Sequence, residues 1–300
     1  MLIWFLLEII GRFCLTCRIS LMKLSVIIPS YNRAHVLRRA LDSVQTQAWD
    51  GSLELILVDD GSTDGTEQLM AKHYPEVRYI YQQNRGVSAA RNLGLQAAAG
   101  EWLALLDSDD AWLEHKLAQQ FAMLEQTGLQ VCHTDEIWIR NGVRVNQMNK
   151  HKKTGGNIFM NCLPICAMSP SSIVLHRDVI EHVGCFDPAL KACEDYDLWL
   201  RIASQYEVAY VSQACIRKYG GHEDQLSRQY WGMDRFRVIA LEKLLTQADR
   251  PLMLSASMRA AARAMLIKKT NILLKGAIKH QNRELIEDCQ ARLARFEVVS

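Results

Sequence analysis

A 300-residue chain with 35 Lys+Arg against 33 Asp+Glu lacks any working excess of one charge. That balance argues against a dedicated nucleic-acid binder, which carries a basic surplus over its whole domain. The chain also lacks the unbroken apolar run of 18 or more residues that a membrane span needs: residues 1–21 are rich in Leu, Ile and Phe, but Glu8, Arg12 and Arg18 interrupt them. No basic segment precedes Leu2 and no small-residue cleavage site follows, so a signal peptide is not expected either. Residues 1–22 read as an N-terminal extension, non-native or disordered, with Met22 the natural start. The nine cysteines are odd in number and scattered, and Cys14–Cys17 has no second pair at zinc-ribbon spacing. Free thiols in a cytoplasmic setting are expected rather than a disulfide framework or structural zinc.

What is present is an alternation of short apolar runs and amphipathic stretches. Leu24 to Pro29, Leu53 to Asp60, Val77 to Tyr81 and Glu101 to Leu106 read as strands, and Leu37, Ala40, Leu41 and Val44 mark one face of an intervening helix. Val87 to Ala98 reads as a further helix. Strands alternating with helices predict βαβ units and an α/β fold with a mainly parallel sheet, whose ligands bind beyond the carboxyl ends of the strands. Polar clusters stand there: Pro29-Ser-Tyr-Asn-Arg33 after the first strand, Asp59-Asp-Gly-Ser62 after the second, Asp107-Ser-Asp-Asp110 after the fourth. Carboxylates gathered on one rim repel unless a cation compensates, which points to Mg²⁺ or Mn²⁺ shared with substrate phosphates. Neither G-x-G-x-x-G nor G-x-x-x-x-G-K-[ST] occurs after the first strand, which excludes a dinucleotide-binding Rossmann enzyme and a P-loop NTPase.

Four segments, Ser25-Val-Ile-Ile-Pro-Ser-Tyr-Asn-Arg33, Val58-Asp-Asp-Gly-Ser-Thr-Asp-Gly-Thr66, Asn84-Arg-Gly-Val-Ser-Ala-Ala-Arg-Asn-Leu-Gly94 and Leu106-Asp-Ser-Asp-Asp110, together resemble family 2 glycosyltransferases of the GT-A fold. The resemblance implies inverting transfer of a sugar from a nucleotide-diphosphate donor to a glycan or lipid-linked acceptor. It implies that Pro29 and Tyr31 line the base pocket, that Asp60 hydrogen-bonds the base and that Arg91 lies near the donor. Asp107 and Asp109 become the D-x-D pair on ribose and metal, flanking Ser108, with Asp110 an alternative metal ligand. Asp59 reads equally as a donor contact and as a turn cap; Asn84 and Ser88 read as helix caps as much as contacts.

Further along, Cys193-Glu-Asp-Tyr-Asp-Leu-Trp-Leu-Arg201 opens a helix, and its Glu194-Asp195 pair resembles the family's second-half signature, with Asp195 the general base. Acidic residues in a first helical turn also suit the helix dipole, a structural reading for Glu194. Tyr219 to Ser227 resembles the loop that brings a histidine, here His222, to the metal or diphosphate; Gly220 stands where an arginine is common. Residues 146–157, with Lys150-His-Lys-Lys153, read as a solvated loop or as a lid or contact for an anionic acceptor.

The expected layout is therefore a catalytic domain over 23–227 and a helical region over 228–300. Between 250 and 280 there are seven positive charges and no acid, leaving about −5 elsewhere. That basic stretch either packs on the catalytic domain or rests peripherally on the inner face of the cell membrane. A non-catalytic nucleotide-sugar or glycan-binding module of the same fold is the alternative to an enzyme.

Overall fold

The computed structural model describes residues 23–221, 230–246 and 252–297. The reading of residues 1–22 as an extension, and that of His222, fall outside these residues. Four parallel strands, β1 (Lys23–Ser30), β2 (Ser52–Asp59), β3 (Arg78–Tyr81) and β4 (Trp102–Leu105), alternate with helices α1 (Ala34–Gln45), α2 (Thr66–His73) and α3 (Val87–Ala97). After β5 (Ala111–Trp112) and α4 (Lys116–Thr127), a long strand β6 (Val131–Arg140) turns through β7 (Val143–Val145). The chain continues through α5 (Phe159–Cys162), β8 (Val174–His176), α6 (Arg177–Val183), α7 (Glu194–Gln205) and β9 (Ala209–Gly220). It ends in three helices, α8 (Asp234–Thr246), α9 (Ala256–Lys279) and α10 (Arg283–Glu297).

The strands form one sheet in the order β3-β2-β1-β4-β8-β6-β9-β5, with β7 on β6. β8 runs antiparallel to both β4 and β6, while β6 and β9 pair in parallel, so two parallel blocks meet through one reversed strand. Side chains alternate across each strand, and both faces are covered. Val26 and Ile28 join a core with Leu37, Leu41 and Phe121, whereas Ile27 faces a second core with Ile56, Val58, Trp199 and Leu241. This explains why the early strands are continuous apolar runs rather than alternating ones. Gly94 lets α3 lie directly on β1: a Cβ there would stand 2.3 Å from Ile27 Cγ2.

The first half follows the sequence expectation to within a residue or two. The turn before α2 is capped by Gly65, at φ +88°, with no side-chain capping bond. Asp64 instead accepts from Thr66 Oγ1 at 2.6 Å and from the Ala34 N–H at 2.8 Å, tying the turn to α1. α3 likewise starts at Gly86 without a side-chain cap, so neither Asn84 nor Ser88 caps it.

The C-terminal helices pack back on the α7 side of the sheet. Val238, Leu241, Leu266 and Leu273 enter the same core as Trp199. Lys269, from the basic stretch, is buried and donates to Pro164 O and Asp234 Oδ1, both at 2.9 Å, so this charge holds the helices together. Lys268, Lys275 and Lys279 are exposed. Among the described residues no helix is long and apolar enough to cross a membrane.

Candidate active site

The carboxyl ends of β1, β2 and β4 open on one rim. There the β1 and β2 exits are stitched together: Asn32 donates its N–H to Ser62 Oγ and accepts from the Thr63 N–H, each at 2.8 Å. Asn32 adopts φ +52°, which its short polar side chain tolerates. Pro29 is buried at the strand end, and Tyr31 stands half-exposed beside it. A half-exposed aromatic at a strand exit gives a flat base something to stack on.

The two aspartates at the end of β2 are engaged inside the scaffold. Asp59, 1% exposed, accepts from the Ser62 N–H at 2.8 Å and from Tyr79 Oη at 2.6 Å, the turn-forming role. Asp60 accepts from Gln82 Nε2 (2.6 Å) and from the backbone N–H groups of Arg85 (2.9 Å) and Gly86 (2.8 Å). It therefore draws the start of α3 onto the rim.

Beyond β4 the four residues 107–110 divide their labour. Asp110 is 1% exposed and has both oxygens occupied, Oδ1 by the Tyr219 N–H at 3.0 Å and Oδ2 by Ser171 Oγ at 2.7 Å. Burial, reinforced by Asp109 and Asp107, pushes its carboxyl up to about 8. Asp110 thus joins β9 to the rim after β4, and Asp109 is the freer carboxylate of the pair. Burial and the charge of Asp107 raise the Asp109 carboxyl above its ordinary value, against the pull of Arg33 and Lys218. Ser108 is buried between them. The Asp109 carbonyl receives Arg39, whose guanidinium lies 3.5 Å over the Tyr219 ring.

Arg91 connects this rim to the second half of the chain. It is 4% exposed and donates to Asp107 Oδ1 at 2.8 Å and to Glu194 Oε1 at 2.6 Å. Burial alone would lower its pKa, but the two flanking carboxylates carry it further up, so the guanidinium stays charged. One helical turn starts at Cys193, in the left-handed region at φ +59°, and presents Glu194 to Arg91 and Asp195 to Cys166. Asp195 Oδ1 accepts from the Tyr196 N–H at 2.7 Å, and Oδ2 faces Cys166 Sγ at 3.1 Å. Burial and Asp195 hold the Cys166 thiol well above its usual pKa, so it donates. The same S–H has a second acceptor, Met168 O, at 3.0 Å.

Sequence reading missed the segment 166–172, which ties Asp107 and Asp110 to Glu136 and Asp195. Cys166 meets Asp195, Ser169 Oγ donates to Glu136 at 2.6 Å, and Ser171 holds Asp110 while accepting from the Asp107 N–H at 3.1 Å. It also missed Lys218. Paired with Trp138 across β6 and β9, Lys218 projects on the Glu136 side of the sheet. Burial would discharge it, yet Asp110, Glu136, Asp107 and Asp195 surround it and raise its pKa well above the lysine norm. Serines, a cysteine and a lysine in ordinary contexts give no local signal; only strand closure brings them together.

The donor set suits a hard divalent cation. Among the described residues no group of three or more His, Cys, Asp or Glu side chains is arranged around a metal position. Asp107 keeps one oxygen outside its bond to Arg91, and Asp109 stands beside it, its carboxyl raised by burial and by that like charge. Two carboxylates, with substrate phosphates completing the shell, is the arrangement Mg²⁺ and Mn²⁺ commonly take.

A polar rim at the carboxyl ends of β1, β2 and β4, an acidic pair after β4 and a carboxylate at the start of α7 stand on an α/β fold with one reversed strand. The profile of glycosyl transferase family 2 matches residues 25–184, and the chain belongs to that family. It is 30% identical over 209 residues to an uncharacterized glycosyltransferase of Rickettsia felis, covering 66% of this chain and 33% of that protein. It is 27% identical over 221 residues to a Bacillus subtilis glycosyltransferase, TuaG, whose name assigns it to teichuronic acid biosynthesis, covering 69% and 82%. The fold is similar to S. aureus TarS residues 1–349 in complex with UDP-GlcNAc, with TM-score 0.69, 21% identity and coverage of 92% of this chain and 80% of that one. The GT-A architecture expected from the four motifs is thus the observed one. The chain spans about a third of the length of the Rickettsia felis relative.

Proposed function

We propose that this chain is an inverting glycosyltransferase that moves a sugar from a nucleotide-diphosphate donor to a glycan or lipid-linked acceptor, with Asp195 as general base. The observation that carries the reading is the Arg91 bridge. One buried guanidinium holds both Asp107, after β4, and Glu194, next to Asp195, which supports a donor position and a base position tied to one rigid element. A binding module has no need of a carboxylate fixed in this way at the start of α7.

In this account Pro29 and Tyr31 receive the base, and Asp107 and Asp109 hold a Mn²⁺ or Mg²⁺ ion. When bound, that cation supplies positive charge to the diphosphate as the nucleotide leaves. The chain's own residues do the rest. Arg91 keeps Asp107 oriented, and its charge lowers the repulsion between the rim and an incoming diphosphate. Asp195 takes the proton of the acceptor hydroxyl as that oxygen attacks the anomeric carbon from the face opposite the nucleotide, a single displacement that inverts configuration. When the Cys166 S–H turns to Met168 O, Asp195 Oδ2 is released for that proton.

The relatives support the same reading: TarS is a protein seen with UDP-GlcNAc, and TuaG carries the name of a teichuronic acid biosynthesis glycosyltransferase. The test is a thermal-shift and nucleotide-release panel of UDP-, GDP- and dTDP-sugars with Mn²⁺ or Mg²⁺. At least one donor should stabilise the protein in a metal-dependent manner and be turned over slowly by water. Absence of binding and turnover across the panel contradicts the proposal.

A further inference from the structure

From Ile137 to Arg177 the sequence has no Asp or Glu, yet it holds Arg140, Arg144, Lys150, Lys152 and Lys153. The structure folds this segment back against β6 and β9. The Gly156 and Val208 backbones exchange hydrogen bonds at 2.8 and 3.0 Å, and Thr154 O meets His133 Nε2 at 2.8 Å, so the loop is docked at its end. Two cavities of about 340 Å³ each lie beneath it. The first is walled by Asp135, Glu136, Trp138, Tyr210, Arg144 and Gln147, and the second by Met160, Asn161, Ile165 and Ala167; Lys152 lines both. Ile165 and Ala167 flank Cys166, the residue that meets Asp195. The second cavity therefore lies beside the residue that meets the proposed base, and Lys152 adjoins both cavities of the groove.

Its charge is directional. Lys153 is spent on Glu136 at 2.8 Å in a buried pair, and Glu136 also accepts from Trp138 Nε1 at 2.7 Å. Asp135 is engaged by the Glu136 N–H at 2.9 Å and by Gln147 Nε2 at 3.4 Å. Arg144 and Lys152 have no ion pair among the described residues, so their charge faces whatever enters. The size lies at the lower end of the range for small-ligand sites. Aromatic walls with amide side chains and two open cations fit a sugar chain that carries anionic groups.

We propose that this groove seats the acceptor, and that the acceptor is a glycan bearing phosphate or carboxylate groups, bound through Arg144 and Lys152. The proposal rests on the reading of Asp195 as base and names the acceptor class for that same site.

The test is equilibrium binding of three oligomers to the full chain: a glycerol-phosphate oligomer, an oligogalacturonate and neutral maltohexaose, with nucleotide binding measured in parallel. One anionic oligomer should bind more tightly than maltohexaose, and the Arg144→Ala, Lys152→Ala double variant should weaken it about tenfold or more. Which anionic oligomer binds distinguishes phosphate from carboxylate. Removing equal charge elsewhere, by Lys275→Ala with Lys279→Ala, should leave that affinity unchanged. The proposal is overturned if neither anionic oligomer binds, if maltohexaose binds as tightly, if the groove variant binds like the wild type, or if the distant pair causes the same loss. Failure of the wild type to bind any nucleotide is a separate result that removes the donor reading instead.

Discussion

Arg91 and Glu194 are 103 positions apart and meet at 2.6 Å inside the protein, with Asp107 on the other arm of the same guanidinium. Removing the cation leaves two carboxylates, one buried and one half-buried, without their partner. Arg91→Ala should cost about 3–5 kcal/mol of folding stability and abolish donor binding, measured by urea unfolding and nucleotide titration. Glu194→Gln, which keeps an oxygen acceptor, should cost clearly less. Equal stability of Arg91→Ala and the wild type would mean that the bridge does not organise the site.

Ser171 is the least conspicuous residue with a large expected effect. Its hydroxyl donates to Asp110 and accepts from the Asp107 N–H, so Ser171→Ala strips one partner from each of two groups on the donor rim. A loss of about 1–3 kcal/mol is expected, with nucleotide affinity falling in the same variant. Retention of full affinity would place Ser171 outside the support of the rim.

The protein should lose stability on mild acidification through His133. Its imidazole is buried, and burial with the neighbouring Lys153 pushes it down to about 3 from a usual 6.5. Nε2 faces Thr154 O, and Nδ1 has no partner to receive a second proton's charge. The unfolded chain takes up that proton below about pH 6.5 and the folded chain does not, so stability is full above that pH and falls as pH drops toward 3. The slope approaches about 1.4 kcal/mol per pH unit. Below about 4.5 Glu136 adds to the loss: burial opposes its charge, but Lys153 and Lys218 hold it well under the usual carboxylate range. Urea unfolding between about pH 7 and pH 5 should show the decline, and His133→Phe should flatten it; an unchanged slope in the variant would assign the decline to other groups.

Asp109 and Asp110 should behave as different kinds of residue. Asp109→Ala should fold normally and lose metal-dependent stabilisation by nucleotide. Asp110→Ala should unfold at lower denaturant, because it withdraws the acceptor of Ser171 and of the Tyr219 N–H. A thermal-shift series with and without Mn²⁺ separates the two; loss of the metal effect in Asp110→Ala with normal stability would reverse the assignment.

The donor half was legible because each piece is local. A buried parallel strand is a continuous apolar run, and the polar cluster that follows it marks the rim, which is how Tyr31, Asp60 and Asp107 could be placed before any coordinates. Asp59 shows the limit of that reasoning: sequence left it between a contact and a turn cap, and its bonds to Ser62 and Tyr79 give it the turn. The second half depends on β8 reversing direction between β4 and β6, which no periodicity announces. Ser169, Ser171, Cys166 and Lys218 acquire roles only through that closure. Trp138 and Arg144 likewise become walls of one groove only when β6 and β7 turn under the basic loop.

The most direct test of the account is Asp195→Asn, with transfer rate and donor affinity measured on the same preparation once a donor and acceptor are in hand. Asparagine preserves the shape and the bond to the Tyr196 N–H but cannot take the acceptor's proton. The account predicts turnover lower by about 10²–10⁴-fold with donor affinity within about twofold of wild type. Turnover close to wild type in Asp195→Asn would contradict it.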